Sequence, residues 1–431
     1  MAGAHRPRPG LGMIAMARGA DVRLPLLHLL FGLVASLVLA AFLLEPGWSI
    51  YGLPGSTATL VLTHLFTLGW VTATTVGAML MIVPVAGVSQ VPAGPAALAV
   101  PLGILPGVAL MLVGFGVGAN GVLALGGSLV TLGVIAFALF LAQALRTQTV
   151  PSPTPLGALL AGLFLVLTVL FGLTEALNFA YGFWGVPLVR FLALHAVLGG
   201  FGWIGLAILS VSYKLVPMFT LSHAQGRHAR AVFALWSLGV LWAATMALFG
   251  TDALAALAAL PALGAYLLFV LDMQRVLAAR GRALEPAIRS AILSWVALGV
   301  LLLALPLELL GVLRVPPYAF AWVFAFGVAG ANLWGFLFKI APFLVWFHSY
   351  ADLGPGRKAP KLADMVPQGA LRAGTWLLWT GVALGGAGLA LGAFPLREAG
   401  AACVFLAAAT AVCAAYGPAR HLSHRRPSDA A

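Results

Sequence analysis

Runs of about twenty apolar residues recur along the whole chain, separated only by short polar breaks. Each run is long enough to cross a hydrocarbon core roughly 30 Å thick, because a helix rises about 1.5 Å per residue. Backbone amides in lipid find no water, so a spanning segment must satisfy them internally, and at this run length that means α-helix. The pattern predicts an all-α, polytopic membrane protein of about twelve transmembrane helices, near residues 24–44, 58–86, 96–118, 121–145, 155–177, 187–216, 228–250, 252–274, 287–311, 315–347, 369–393 and 396–416. With 62% hydrophobic and 8% charged residues among 431, nothing remains from which to build a soluble domain. The expected organisation is a tail over 1–23, one transmembrane domain over 24–416 and a second tail over 417–431.

A net charge of +12 suggests nucleic acid in a soluble protein, but here the position of the basic residues explains it. With the N-terminus inside, eighteen fall on the cytoplasmic side: Arg6, Arg8, Arg18, Arg23, Arg146, Arg227, Arg230, Arg275, Arg280, Arg282, Arg289, Arg357, Lys358, Lys361, Arg372, Arg420, Arg425 and Arg426. Three, Arg190, Arg314 and Arg397, fall on the other, and Lys214 and Lys339 lie inside helix ends. This bias predicts both termini in the cytoplasm and a multi-pass protein of the inner membrane, with the lipid bilayer as partner and no nucleic acid. The arginine-rich start ahead of a long apolar run is read as a retained signal anchor. Cys403 and Cys413 share the last span on different faces, which predicts packed thiols without a disulfide or a metal pair.

An internal repeat emerges when the cytoplasmic ends of the second, sixth and tenth spans are compared. They end Met-Leu-Met-Ile-Val-Pro84, Ser-Tyr-Lys-Leu-Val-Pro217 and Leu-Phe-Lys-Ile-Ala-Pro342, with prolines 133 and 125 residues apart. The first, fifth and ninth spans each carry one glutamate, Glu45, Glu175 and Glu308, spaced by 130 and 133 residues and expected at the outer surface. Two independent marks with one period predict three pseudo-repeated four-helix arcs that close into a ring. Lys214 and Lys339 precede their prolines by three residues and are expected to snorkel to the headgroups.

An imidazole inside a bilayer is a site hypothesis by default, since no water is there to satisfy it. His64 lies in His-Leu-Phe-Thr-Leu-Gly-Trp of the second span and His195 in Leu-His-Ala-Val-Leu-Gly-Gly-Phe-Gly-Trp of the sixth, each followed five residues later by glycine, Gly69 and Gly200. They precede their prolines by 20 and 22 residues, which puts them within about 3 Å of the same depth. Two such imidazoles, with small residues beside them to admit a flat macrocycle, suit bis-histidine ligation of one haem b. Phe66, Trp70, Phe201 and Trp203 are then candidates to pack on the porphyrin. His28 and His348 are expected at the cytoplasmic interface, and His223 and His228 in a solvated basic loop; His5, His421 and His424 belong to the tails.

Twelve spans with both ends inside, three arcs of four and a histidine in the outer part of the second span resemble subunit I of the haem-copper oxidases and its smaller NnrS-type relatives. At residue level the resemblance rests on the His64 and His195 segments and on Tyr-Lys-Leu-Val-Pro217-Met-Phe. It implies a low-spin haem role for His64 and a copper role for His195, whereas matched depth favours haem for both. The chain departs from the family in the seventh span, which reads Ala-Val-Phe-Ala-Leu-Trp-Ser without a histidine pair. The tenth departs too, reading Tyr-Ala-Phe-Ala-Trp-Val-Phe-Ala-Phe-Gly without histidines. The binuclear centre of a terminal oxidase is therefore not expected. Two functional classes stay open: a haem protein for electron transfer or for binding nitric oxide or oxygen, beside other respiratory or denitrification membrane proteins, and a transporter or channel for a small solute or ion. A third, an assembly partner that holds nothing, also stays open.

Overall fold

The computed structural model describes residues 22–45, 56–90, 95–183, 189–350 and 359–422. Arg6, Arg8, Arg18, Arg357, Lys358, Arg425, Arg426, His5, His424 and most of both tails lie outside the described residues. Among the described residues are twelve helices long and apolar enough to cross a membrane, and no strand. They are α1 (Arg23–Phe42), α2 (Thr57–Gly87), α3 (Ala96–Val117), α4 (Asn120–Arg146), α5 (Thr154–Tyr181), α6 (Arg190–Thr220), α7 (Ala229–Phe249), α8 (Asp252–Ala278), α9 (Pro286–Leu309), α10 (Pro317–Tyr350), α11 (Gln368–Leu391) and α12 (Phe394–Ala419). Every predicted span is found, with ends shifted by at most four residues. The one interruption lies in α8, at Leu257 and Ala258, where Pro261 lacks the amide that would bond Leu257 and its ring crowds that carbonyl. Lipid-facing positions are apolar: Leu125, Leu132 and Leu139, seven apart on α4, are 55%, 63% and 67% exposed.

The repeat is built into the backbone. α2, α6 and α10 each contain a π-helical segment of eight residues, Leu65–Thr72, Leu198–Gly205 and Val323–Gly330. Their first residues are 133 and 125 apart, the same intervals that separate Pro84, Pro217 and Pro342. Each segment carries glycine at its fifth position, Gly69, Gly202 and Gly327. α2 and α6 also end alike, with a left-handed residue four after the proline, Val88 and Leu221. Wide π turns are rare, and three at one repeat position mark a shared constraint.

That constraint is the mutual packing of α2, α6 and α10 around one axis. Trp203 of α6 donates its indole N–H to Thr72 Oγ1 of α2 at 2.9 Å. Trp70 of α2, in the equivalent position, lies against Gly330 of α10, where an added Cβ would meet the indole at 2.9 Å. The third member of this cycle is Val328, too short to reach Gly205, and Trp236 of α7 fills that glycine instead, 2.7 Å from an added Cβ. Around the trio the outer helices close a ring, since α4 packs on α5, α8 on α9 and α12 on α1.

Within each arc the third and fourth helices cross at small residues, because lipid offers no hydrophobic drive and backbones must approach closely to gain dispersion contact. Gly103 meets Gly133 between α3 and α4, and Gly385 meets Gly400 between α11 and α12, with added Cβ atoms at 2.5 and 2.4 Å from backbone. Between α7 and α8, Gly239 faces Ala258 and Ala262. Gly133→Leu is expected to lose about 1–3 kcal/mol of stability through overpacking, whereas Gly121→Leu, with nothing within 4 Å of its Cβ position, leaves it unchanged. Thermal melting of detergent-solubilised protein reads the difference.

Candidate functional site between the second and sixth helices

His64 and His195 come together. Their ring centroids are 6.3 Å apart with the planes inclined by 35°. His64 closes the α-helical first part of α2 immediately before its π segment, and His195 stands three residues before the π segment of α6. Register by the π segments aligns Gly69 with Gly202 and leaves Gly200 opposite Thr67, so the histidines are not repeat equivalents but two residues out of step.

Each imidazole has one nitrogen committed. His64 Nδ1 donates to the Leu60 carbonyl at 2.8 Å, one turn back on its own helix. His195 Nδ1 donates to the Thr168 carbonyl of α5 at 2.9 Å. A carbonyl only accepts, so each ring carries a proton on Nδ1, and in its neutral form presents Nε2 as a lone-pair donor. Two imidazoles bound to one ion in a straight line, with metal–nitrogen bonds of about 2.0–2.1 Å, have ring centres roughly 6 Å apart. The observed separation matches this geometry.

Close packing positions the rings. Gly172 of α5 lies under His195, where an added Cβ would stand 2.8 Å from Cε1. Thr168 and Gly172 are one turn apart on α5, so the same stripe supplies the carbonyl that orients His195 and the space that admits it. Phe115, near the end of α3, packs on His64 with centroids 4.9 Å apart and the planes inclined by 33°. Neither Gly172 nor Phe115 is singled out by sequence, because their role depends on which helices become neighbours. An added Cβ at Gly200 would meet only the Phe324 ring, at 3.7 Å, leaving space beside α6. Gly69 packs instead against Ala35 of α1.

The four candidate porphyrin-packing aromatics belong to other contacts. Phe66 and Trp70 cluster with Phe326 of α10, Phe201 pairs with Phe324, and Trp203 lies edge-on to Phe137 of α4. Several charge and histidine expectations are also corrected. His28 is fully buried within the protein, with Gly77 of α2 packed on its Cβ. Lys339 forms an ion pair with Glu285 at the start of α9, next to Arg282, rather than reaching alone to the surface. His421 is not a free tail residue: its Nδ1 and the Tyr350 hydroxyl share a 2.6 Å hydrogen bond. The three glutamates diverge. Glu45 is exposed beyond α1, and Glu308 accepts the Val315 amide. Glu175 stands six residues inside the end of α5, with Oε1 buried and no hydrogen-bond partner. Cys403 and Cys413 are free thiols, Cys403 half-buried and Cys413 exposed rather than packed.

A second polar centre went unseen in the sequence. Asp272 of α8 is fully buried and accepts from the Arg227 amide, the His228 amide, the Tyr213 hydroxyl and His228 Nδ1, at 2.8 to 3.1 Å. Its carboxylate ties the loop before α7 to α6 and α8, so His228 is bonded rather than merely solvated. Comparison with protein-family models and with curated proteins gives no match for this chain.

Removing Asp272 leaves four donors buried or half-buried without an acceptor. Asp272→Ala is expected to cost about 3–5 kcal/mol, against less than about 1 kcal/mol for truncating the exposed Arg275 at the edge of the cluster. Denaturation of both variants in the same detergent checks the ordering.

Proposed function

We propose that this multi-pass membrane protein holds one b-type haem between His64 and His195 and serves electron transfer or the binding of a diatomic gas. The observation that carries the reading is the pair itself: two imidazoles from neighbouring arcs, each bonded through Nδ1 to a carbonyl, at a spacing that would let both hold one iron. The donor set favours haem over a bare ion. Zinc typically takes four protein or water ligands, yet no group of three or more His, Cys, Asp or Glu residues gathers among the described residues. A porphyrin brings four nitrogens of its own and needs two more from the protein, so copper is less well supported.

A haem held by His64 and His195 would supply a one-electron couple or a centre for binding a diatomic gas. The protein's own part follows from the second layer of bonds. The Leu60 and Thr168 carbonyls hold each imidazole in the Nδ1–H tautomer, fix its azimuth and raise the basicity of Nε2. Gly172 admits the His195 ring, and Phe115 buttresses His64.

A complete terminal oxidase is not supported. α7 offers no histidine within the bundle, since His228 precedes it and is committed to Asp272, and α10 places Trp322 and Phe326 in contact where the family has ligands. The chain is better read as an electron-carrying or gas-binding unit beside other respiratory or denitrification proteins of the inner membrane, with both termini in the cytoplasm. The alternative, passage of a small solute or ion, draws on the cavity at the centre of the bundle. Uptake into proteoliposomes by protein without a chromophore would favour it.

Purified protein expressed with haem supplied is expected to show the absorption of one low-spin haem per chain. His64→Ala and His195→Ala should each lose most of it. Gly172→Val, which fills the space under His195 while leaving both histidines in place, should lower haem content with the helices intact by circular dichroism. Full absorbance in His64→Ala, or a colourless wild type, overturns the assignment.

A further inference from the structure

The packing of α2, α6 and α10 leaves a cavity on their shared axis, on the proline side of the π segments. Apart from Leu29 and Leu337, its wall consists of triples related by the repeat intervals of 133 and 125 residues. The layer nearest the histidines is Val71, Ile204 and Ala329, and the layer farthest from them is Ile82, Leu215 and Ile340. All three residues of the far layer are branched and buried, which narrows the axis towards the face that carries the prolines. Between these layers small residues recur, among them Ala78 and Ala207, so the repeat itself creates the space.

The wall has little to offer water. About 40 Å³ is open to the centre of a water-sized sphere, against the roughly 10–15 Å³ a water needs, but a water also needs two to four polar partners. The Thr74 hydroxyl is turned away: its Oγ1 is buried and wedged against α1, 2.1 Å from where Gly32 would carry a Cβ. Asn332 Nδ2 is committed to Ser294 Oγ at 3.2 Å. The remaining surface is almost entirely methyl and methylene. Apolar cavities of this kind stay dry and take up apolar guests such as xenon.

We propose that this axial cavity is a binding site for one small apolar molecule of the diatomic-gas class, drawn from the bilayer, where such gases concentrate. Val71 follows His64 by seven residues through the π segment of α2, so the guest sits beyond the histidine pair along the helix, towards the prolines. The site stands on its own geometry and does not require the pair to hold a metal.

Xenon is the probe. Crystals of the full-length protein pressurised with xenon should show one anomalous peak on the axis beside Ala207 and Ala329. Ala207→Leu and Ala329→Leu, which fill the cavity from different arcs, should each remove that peak while leaving xenon sites elsewhere. The proposal fails if wild-type crystals take xenon elsewhere but not on the axis. It fails equally if ordered water bonded to Asn332 or Thr75 occupies the cavity, or if the axial peak survives both substitutions. The wild-type crystal alone decides the case should either variant fail to fold.

Discussion

The mutual contact of α2, α6 and α10 is the interaction on which the rest of the molecule depends. Three helices packed about one axis must each present a similar face at the same depth, and the repeat supplies it through π segments at fixed intervals from Pro84, Pro217 and Pro342. Tryptophans then key one helix to the next, Trp203 onto Thr72 and Trp70 onto Gly330. The cycle is broken once, at Val328, and the repair by Trp236 shows how a diverged repeat keeps its packing with side chains from elsewhere.

Both the histidine pair and the axial cavity are consequences of this trio. His64 and His195 stand beside the π segments of two of its members, so the same close approach of α2 and α6 brings the rings to 6.3 Å. On the other side of those segments the trio leaves unfilled space where its small residues meet. The third member, α10, carries aromatic rings where its partners carry imidazoles, which gives one paired site rather than a symmetric set of three.

Lipid makes polar accounting strict. Most buried polar side chains among the described residues have a partner: Ser210 bonds the Thr154 carbonyl, Asn332 bonds Ser294, and Asp272 accepts four hydrogen bonds. The exceptions among the described residues are seven atoms, on His28, Thr74, Ser89, Gln148, Glu175, Ser237 and Trp295, buried without a hydrogen bond. Polar atoms are kept unpaired in a bilayer only at a cost.

Much of the architecture was legible in the sequence because each element's physics is local. An apolar run of twenty residues is a spanning helix whatever its neighbours, so all twelve spans could be placed, and similar intervals between prolines, 133 and 125 residues, revealed the repeat before any contact was known. The two histidines could be matched in depth by counting residues along separate helices. Their partners could not. Thr168, Gly172 and Phe115 reach the pair from α3 and α5, Asp272 reaches its four donors from α8, and Lys339 meets Glu285 across two helices. Sequence by itself therefore fixed how many helices cross the bilayer, where they begin and which positions repeat, since these follow from transfer of each segment into lipid. Only the tertiary structure decided which faces meet, because azimuth about a helix axis is set by packing against neighbours that no single segment encodes.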